Sequence, residues 1–214
     1  MKLIIFDFDG TLGDTRANIV LTMQRTLRQM GYPVASEEAI AATIGLPLET
    51  GFEVLIPGIS TEDTLRCAAT YREIFEVYRE QFKPQPFPHV KETLALLKQQ
   101  GYTMTVASSR MSVSLNAFIR DMGLADCISY VLGADNVAKA KPDPEPVLQT
   151  LRDLNTAAAE TMVVGDMPVD ILMGRNAGCA TCGVTWGNSD REALRAAGAD
   201  FIIDDFADFP ACLE

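Results

Sequence analysis

Asp7-Phe8-Asp9-Gly10-Thr11 places two carboxylates two residues apart, directly after the apolar run Leu3–Phe6. Three further groups occupy equivalent places. Ser108-Ser109-Arg110 follows the run 102–107, Lys139-Ala140-Lys141-Pro142 comes after the run 128–132, and Gly165-Asp166-Met167-Pro168-Val169-Asp170 follows 161–164. Each apolar run reads as a strand, and in an open parallel sheet ligands bind beyond the carboxyl ends of the strands. The set then meets on one edge and suits Mg²⁺-assisted phosphoryl transfer. Mg²⁺ takes carboxylate oxygens, waters and a phosphate oxygen, which Asp7 and Asp166 can supply in part. The other oxygen of Asp7 can attack phosphorus in line and form an aspartyl-phosphate. Asp9 can protonate the leaving oxygen and later deprotonate the attacking water. Ser108 and Lys141 can hold the transferring phosphoryl oxygens. Gly10 permits a sharp turn, so that amides near residues 9–11, Thr11 included, face the phosphate. Asp170 serves best as a support that orients Asp166, Lys141 or a metal-bound water.

These groups require a sheet to position them. Strands are predicted at 3–6, 102–107, 128–132, 161–164, 179–184 and 201–203. Helices are predicted at 90–100, 112–122, 145–154, 168–177 and 189–197, several of them stopped by glycine. This alternation implies an α/β fold, a doubly wound, mostly parallel sheet covered on both faces. The alternation breaks between Asp14 and Pro86. There the pattern reads helix after helix, at 15–30, 36–43, 48–55 and 61–82, with no strand. The last carries Leu65, Ala69, Ile74, Tyr78 and Phe82 on or near one stripe. The economical arrangement is a catalytic core of residues 1–13 and 87–214 with an all-α cap of residues 14–86 inserted after the first strand. Residues 84–88 form the return linker.

Composition narrows the classes. The chain has 214 residues, 48% hydrophobic and 22% charged, enough for one packed domain with an insertion. Its formal charge of −11 argues against a nucleic-acid or anionic-membrane binder. No apolar run approaches ~20 residues, and Asp7 ends the first one too early for a signal peptide, so the expected location is the cytoplasm. His89 is the one histidine, which excludes histidine-rich metal sites and reads as a solvated loop residue. Five cysteines without a secretion signal are expected to be reduced. Cys179 and Cys182 have redox spacing but fall in a strand, where they read as small hydrophobes.

FDFDGTLGDT, residues 6–15, together with Ser108, Lys141 and GDMPVD, residues 165–170, resembles the four motifs of the haloacid dehalogenase-like superfamily of phosphohydrolases. IGLPLE (44–49), KPQPFPHVKETL (83–94), KAKPDPEPVL (139–148) and GVTWG (183–187) resemble its phosphoglycolate phosphatase branch. The resemblance spans the whole chain. It implies a Rossmann-like core with a helical cap, Asp7 as nucleophile and Asp9 as acid/base. It further implies Mg²⁺ held by Asp7, the backbone carbonyl of Asp9 and Asp166, and a small phosphorylated metabolite as substrate, phosphoglycolate first. Ser109, Arg110, Gly45 and Leu46 are candidate substrate contacts beside Gly10 and Thr11, and Arg16 and Glu49 are further ones. Departures from the branch are Ser108-Ser109 in the second motif, His89 after Pro88, and Gly13 where Val or Ile is common. Gly13 is expected to loosen the hinge into the cap. Two other readings stay open: a phosphomutase of the same superfamily, disfavoured by Ile19 where such enzymes carry histidine, and a non-catalytic phosphate- or Mg²⁺-binding signalling module. A phosphonate hydrolase would need a cap lysine, and there is none between Lys2 and Lys83. Either a monomer or a homodimer is compatible with the sequence.

Overall fold

The structure, a computed structural model, describes residues 1–78 and 83–213. Six parallel strands form one sheet: β1 (Leu3–Phe6), β4 (Thr103–Ala107), β5 (Tyr130–Leu132), β6 (Thr161–Gly165), β7 (Ala180–Val184) and β8 (Phe201–Ile203), in the order β5-β4-β1-β6-β7-β8. The central β1 is wholly buried. Ile4 and Phe6 pack into one hydrophobic cluster, Leu3 and Ile5 into another, because successive side chains of a strand face opposite sides. Helix α5 (Val90–Gln99), α6 (Ser112–Asp121) and the 3₁₀ segment Phe206–Leu213 cover the first face. Helices α7 (Glu145–Asp153) and α8 (Pro168–Asn176) cover the second. Helix α9 (Arg191–Ala196) packs beside β7 and β8.

The register carries the site. Phe6 pairs with Val106 on one side and Val164 on the other, so β1, β4 and β6 end level. The chain winds one way to β4 and β5 and the other way to β6, β7 and β8. The switch point therefore lies at β1, where a doubly wound sheet opens its crevice.

Between β2 (Gly13–Asp14) and β3 (Gln85–Pro86) come α1 (Arg16–Gln29), α2 (Glu37–Ala41), α3 (Leu48–Leu55) and α4 (Thr61–Tyr78). The helices predicted here are present: the first two have ends shifted by one or two residues, the third matches, and the fourth starts as expected, its predicted end at 82 lying outside the described residues. The strand pair was not anticipated. Gly13 pairs with Pro86 and Asp14 with Gln85, antiparallel, so the stretch read as a plain return linker is half of a two-residue ladder. Two residues per strand are too few to show alternation. A Cβ on Gly13 would come within 2.9 Å of the flexible tip of Met122 and 3.2 Å of the Phe8 ring, so a larger residue there would need those neighbours to shift.

The stripe assigned to α4 also changes. Its buried face is Thr64, Cys67, Ala68, Tyr71 and Phe75, while Leu65 and Ala69 are exposed; Phe82 lies outside the described residues. Small residues let α4 lie close to α1, and a count of large apolar residues overlooks them. Helix α9 likewise begins later than expected, with Asp190 accepting from the Ala193 amide at 2.8 Å as its cap. Among the cysteines no disulfide forms. Cys179 packs on one face of the sheet and Cys182 on the other, so they cannot bond to each other. Burial pushes the Cys179 thiol up to about 11, an unreactive state.

Candidate active site

Asp7 follows β1 and continues its ladder, its amide donating to the Val164 carbonyl at 2.8 Å. Its side chain is thereby fixed at the sheet edge and is almost fully buried. Lys141 reaches it from the loop after β5. The Lys141 Nζ donates to Asp7 Oδ1 at 2.5 Å and to Asp170 Oδ1 at 2.7 Å. Asp166, one residue beyond β6, accepts from the Thr11 hydroxyl at 3.0 Å through Oδ1. Asp170 sits in the first turn of α8, where its Oδ2 accepts from the Met167 amide at 3.0 Å. Oxygens of Asp7, Asp166 and Asp170 lie within 4.8 Å of one another.

The electrostatics of this cluster are unbalanced. Burial pushes the Asp7 carboxyl well above its usual range, partly opposed by Lys141. Burial, then the Asp170 charge, pushes Asp166 up to about 7. For Lys141 burial works against the ammonium, but Asp170 and Asp7 outweigh it and its pKa rises. With all three carboxyls ionised, one ammonium would leave two negative charges uncompensated in a water-poor place, which is why the Asp7 and Asp166 values rise. That donor set of hard oxygens fits a divalent cation, whose charge would offset the deficit.

Gly10 turns the chain at φ +93°, and a Cβ there would stand 2.3 Å from Asp166 Oδ2. Only glycine allows the Asp7–Thr11 loop to come this near the carboxylate. Thr11 is fully buried and its hydroxyl is engaged by Asp166, so it braces the acid cluster.

Asp9 faces the other way, toward the helical insertion. Arg110 grips it, with Nε 3.2 Å and 3.1 Å from its two oxygens and Nη2 2.6 Å from Oδ1. The guanidinium carbon lies 5.1 Å from the ring centre of Phe75 in α4 and 4.8 Å from that of Phe118 in α6. The Ser108 Oγ accepts from the Arg110 amide at 3.2 Å. Ser109 points to the insertion, and its hydroxyl donates to the Gly45 carbonyl at 2.6 Å. A cavity of about 460 Å³ opens here, lined by Asp9, Ser109 and Arg110 from the sheet side and Gly45, Leu46 and Glu49 from the insertion. Arg16 is exposed and does not line it.

A family profile described as haloacid dehalogenase-like hydrolase matches residues 4–184. The chain belongs to the haloacid dehalogenase-like hydrolases. Among their members it is 44% identical over 210 residues to a protein of Dickeya dadantii (strain 3937) named "Probable phosphatase IndB", covering 96% of this chain and 90% of that one. It is 33% identical to the phosphoglycolate phosphatase of Vibrio parahaemolyticus, covering 97% and 94%. A crystal structure from Bacteroides fragilis, described as a haloacid dehalogenase-like hydrolase, superposes with a TM-score of 0.93 at 28% identity, covering 97% of this chain and 99% of that one. The α/β architecture read from the sequence is thus the fold of this hydrolase family.

In this hydrolase the structure brings Asp7, Lys141, Asp166 and Asp170 together, and separately Asp9, Arg110, Ser109, Gly45 and Leu46. Sequence reasoning missed Asn188. Its amide donates to Asp166 Oδ2 at 2.7 Å and its side-chain Nδ2 to the same oxygen at 2.9 Å. Its Oδ1 is buried without a partner among the described residues. The one available signal was position: Asn188 directly follows the GVTWG run. Trp186 of that run donates to the Thr11 carbonyl at 3.1 Å, pinning the loop to the Asp7 turn.

Proposed function

We propose that this hydrolase is a Mg²⁺-dependent phosphatase that cleaves a phosphomonoester through an aspartyl-phosphate on Asp7. The observation that carries the reading is the Lys141 ammonium lying on Asp7 and Asp170 with Asp166 beside them, a basic group and an acid cluster at one strand edge. Asp7, Asp166 and the Asp9 carbonyl would hold the metal, which when bound supplies charge to the phosphoryl oxygens and frees one Asp7 oxygen. Lys141 opposes the burial that favours protonated Asp7 and is placed, like Ser108, to take up a phosphoryl oxygen. Thr11 and Asn188 hold Asp166 in one orientation, and Asp170 does the same for Lys141.

Asp9 lies between this cluster and the cavity, where an alcohol leaving group would emerge. It would protonate that oxygen and then take a proton from water. Both its oxygens accept from Arg110, which leaves a lone pair on Oδ2, bonded only by Nε at 3.1 Å, to carry the proton. The insertion, as a cap, would exclude water and contact the alcohol. Ile19 lines the cavity and carries no proton-transfer group, which weighs against the mutase reading. The relatives' names support a small phosphorylated metabolite as substrate. This reading places the enzyme in a reducing compartment such as the cytoplasm.

Purified protein should release phosphate steadily from ethyl phosphate with Mg²⁺ and stop when excess chelator is added. Full activity in chelator would refute the metal site. Stoichiometric phosphorylation without turnover would indicate a signalling module instead.

A further inference from the structure

We propose that the alcohol released by this enzyme is uncharged and largely apolar, larger than the two-carbon acid glycolate. The inference rests on the phosphatase reading and names its substrate class.

The cavity beside Asp9 belongs to a conformation in which the insertion is already docked. Ser109 bonds the Gly45 carbonyl across the divide, and Arg110 lies between Phe75 of the insertion and Phe118 of the core. Even so, about 460 Å³ remains. That is within the ~300–1,000 Å³ typical of pockets for drug-sized ligands. A glycolate leaving group has five heavy atoms and would leave most of it to water. The walls do not favour water. Ile44, Leu46, Tyr71, Phe75, Met111 and Val113 line it, from both the insertion and the core. Tyr71 and Phe75 are stacked, with ring centres 6.2 Å apart.

Charge points the same way. Among the described lining residues the carboxylates are Asp9, Glu49, Glu76 and Asp135, and the cations are Arg72 and Arg110. Both arginines are committed. Arg110 is on Asp9, and Arg72 Nη2 lies 2.7 Å from Glu49 Oε1. A substrate carboxylate would meet arginines whose charges are already offset by Asp9 and Glu49. Desolvating it there is unfavourable. An uncharged apolar body loses nothing by the same move and gains burial against the aromatic pair.

The test compares kcat/KM at fixed Mg²⁺ for ethyl phosphate, benzyl phosphate and phosphoglycolate, all of which release alkoxides. Benzyl phosphate should exceed phosphoglycolate by ~10-fold or more. Benzylphosphonate should likewise inhibit ethyl phosphate hydrolysis more strongly than phosphonoacetate does. Leu46→Arg, which places a cation in the cavity, should shift the ratio toward phosphoglycolate. If phosphoglycolate equals or exceeds benzyl phosphate while ethyl phosphate is turned over, the phosphatase reading stands and this inference fails. If none of the three is hydrolysed with Mg²⁺, both fail.

Discussion

The sheet edge and the helical insertion place their charged residues differently. At the edge, Asp7, Lys141, Asp166 and Asp170 are all buried, with Lys141 hydrogen-bonded to Asp7 and Asp170, and Asp166 held by Thr11 and Asn188. In the insertion the ion pairs are solvated, as Arg72–Glu49 and Arg66–Asp63 show. A buried network is costly to alter, since each lost partner leaves an unpaired charge in a poor solvent. Exposed pairs are worth ~0–1 kcal/mol. One region is therefore built for a single task, and the other can change its cavity without endangering the fold.

That contrast should show most strongly at Asp7. Asp7→Asn should lower turnover by at least ~10³-fold with an unchanged circular dichroism spectrum, because a nucleophile cannot be replaced by positioning. Retention of a tenth of the wild-type rate would break the comparison.

Next in size are the residues that hold Asp166. Asn188→Ala should raise the Mg²⁺ concentration for half-maximal rate by ~10-fold, with recovery of most of kcat at saturating metal. A loss of kcat that no metal concentration recovers would mean that Asn188 acts on the chemistry itself.

In the insertion the effects should be selective. Substitutions at Leu46 or Glu49 should change the ratio of kcat/KM between two phosphoesters by ~10-fold, about 1.4 kcal/mol, and leave the Mg²⁺ requirement as it is. A uniform loss on every substrate would make the insertion a simple lid.

The smallest effect is expected at His89, far from both regions. Its Nδ1 lies 2.6 Å from Asp205 Oδ1, and that hydrogen bond and charge raise its pKa, while Asp205 is lowered. A raised histidine stabilises the fold below its unfolded value near ~6.5, and the benefit is lost as pH rises through the folded value. The melting temperature of His89→Ala should therefore trail wild type more at about pH 5.5 than at about pH 9, with kcat/KM unaffected. An equal gap at both would show that the pair contributes nothing. The sequence placed His89 correctly in a loop but could not show this partner, which is 116 residues away.

What was legible from residues alone was whatever repeats a local rule. Apolar runs of four to six residues marked β1, β4 and β6. Glycine stops marked the helix ends, and an acid, hydroxyl or lysine after each run marked the edge. These signals survive because a strand direction and a helix period are set by neighbours in the chain. Only the tertiary structure decided which side chains face each other. The register of β1 with β4 and β6 brings Ser108 and Asp166 to within one residue of the level of Asp7. Folding across more than a hundred residues sets Arg110 on Asp9 and Thr11 on Asp166, which Asn188 reaches from 22 residues on. The cavity beside Asp9 exists because four helices docked on the sheet without filling the space between them. Its size and its committed arginines are properties of that packing, which no local pattern encodes.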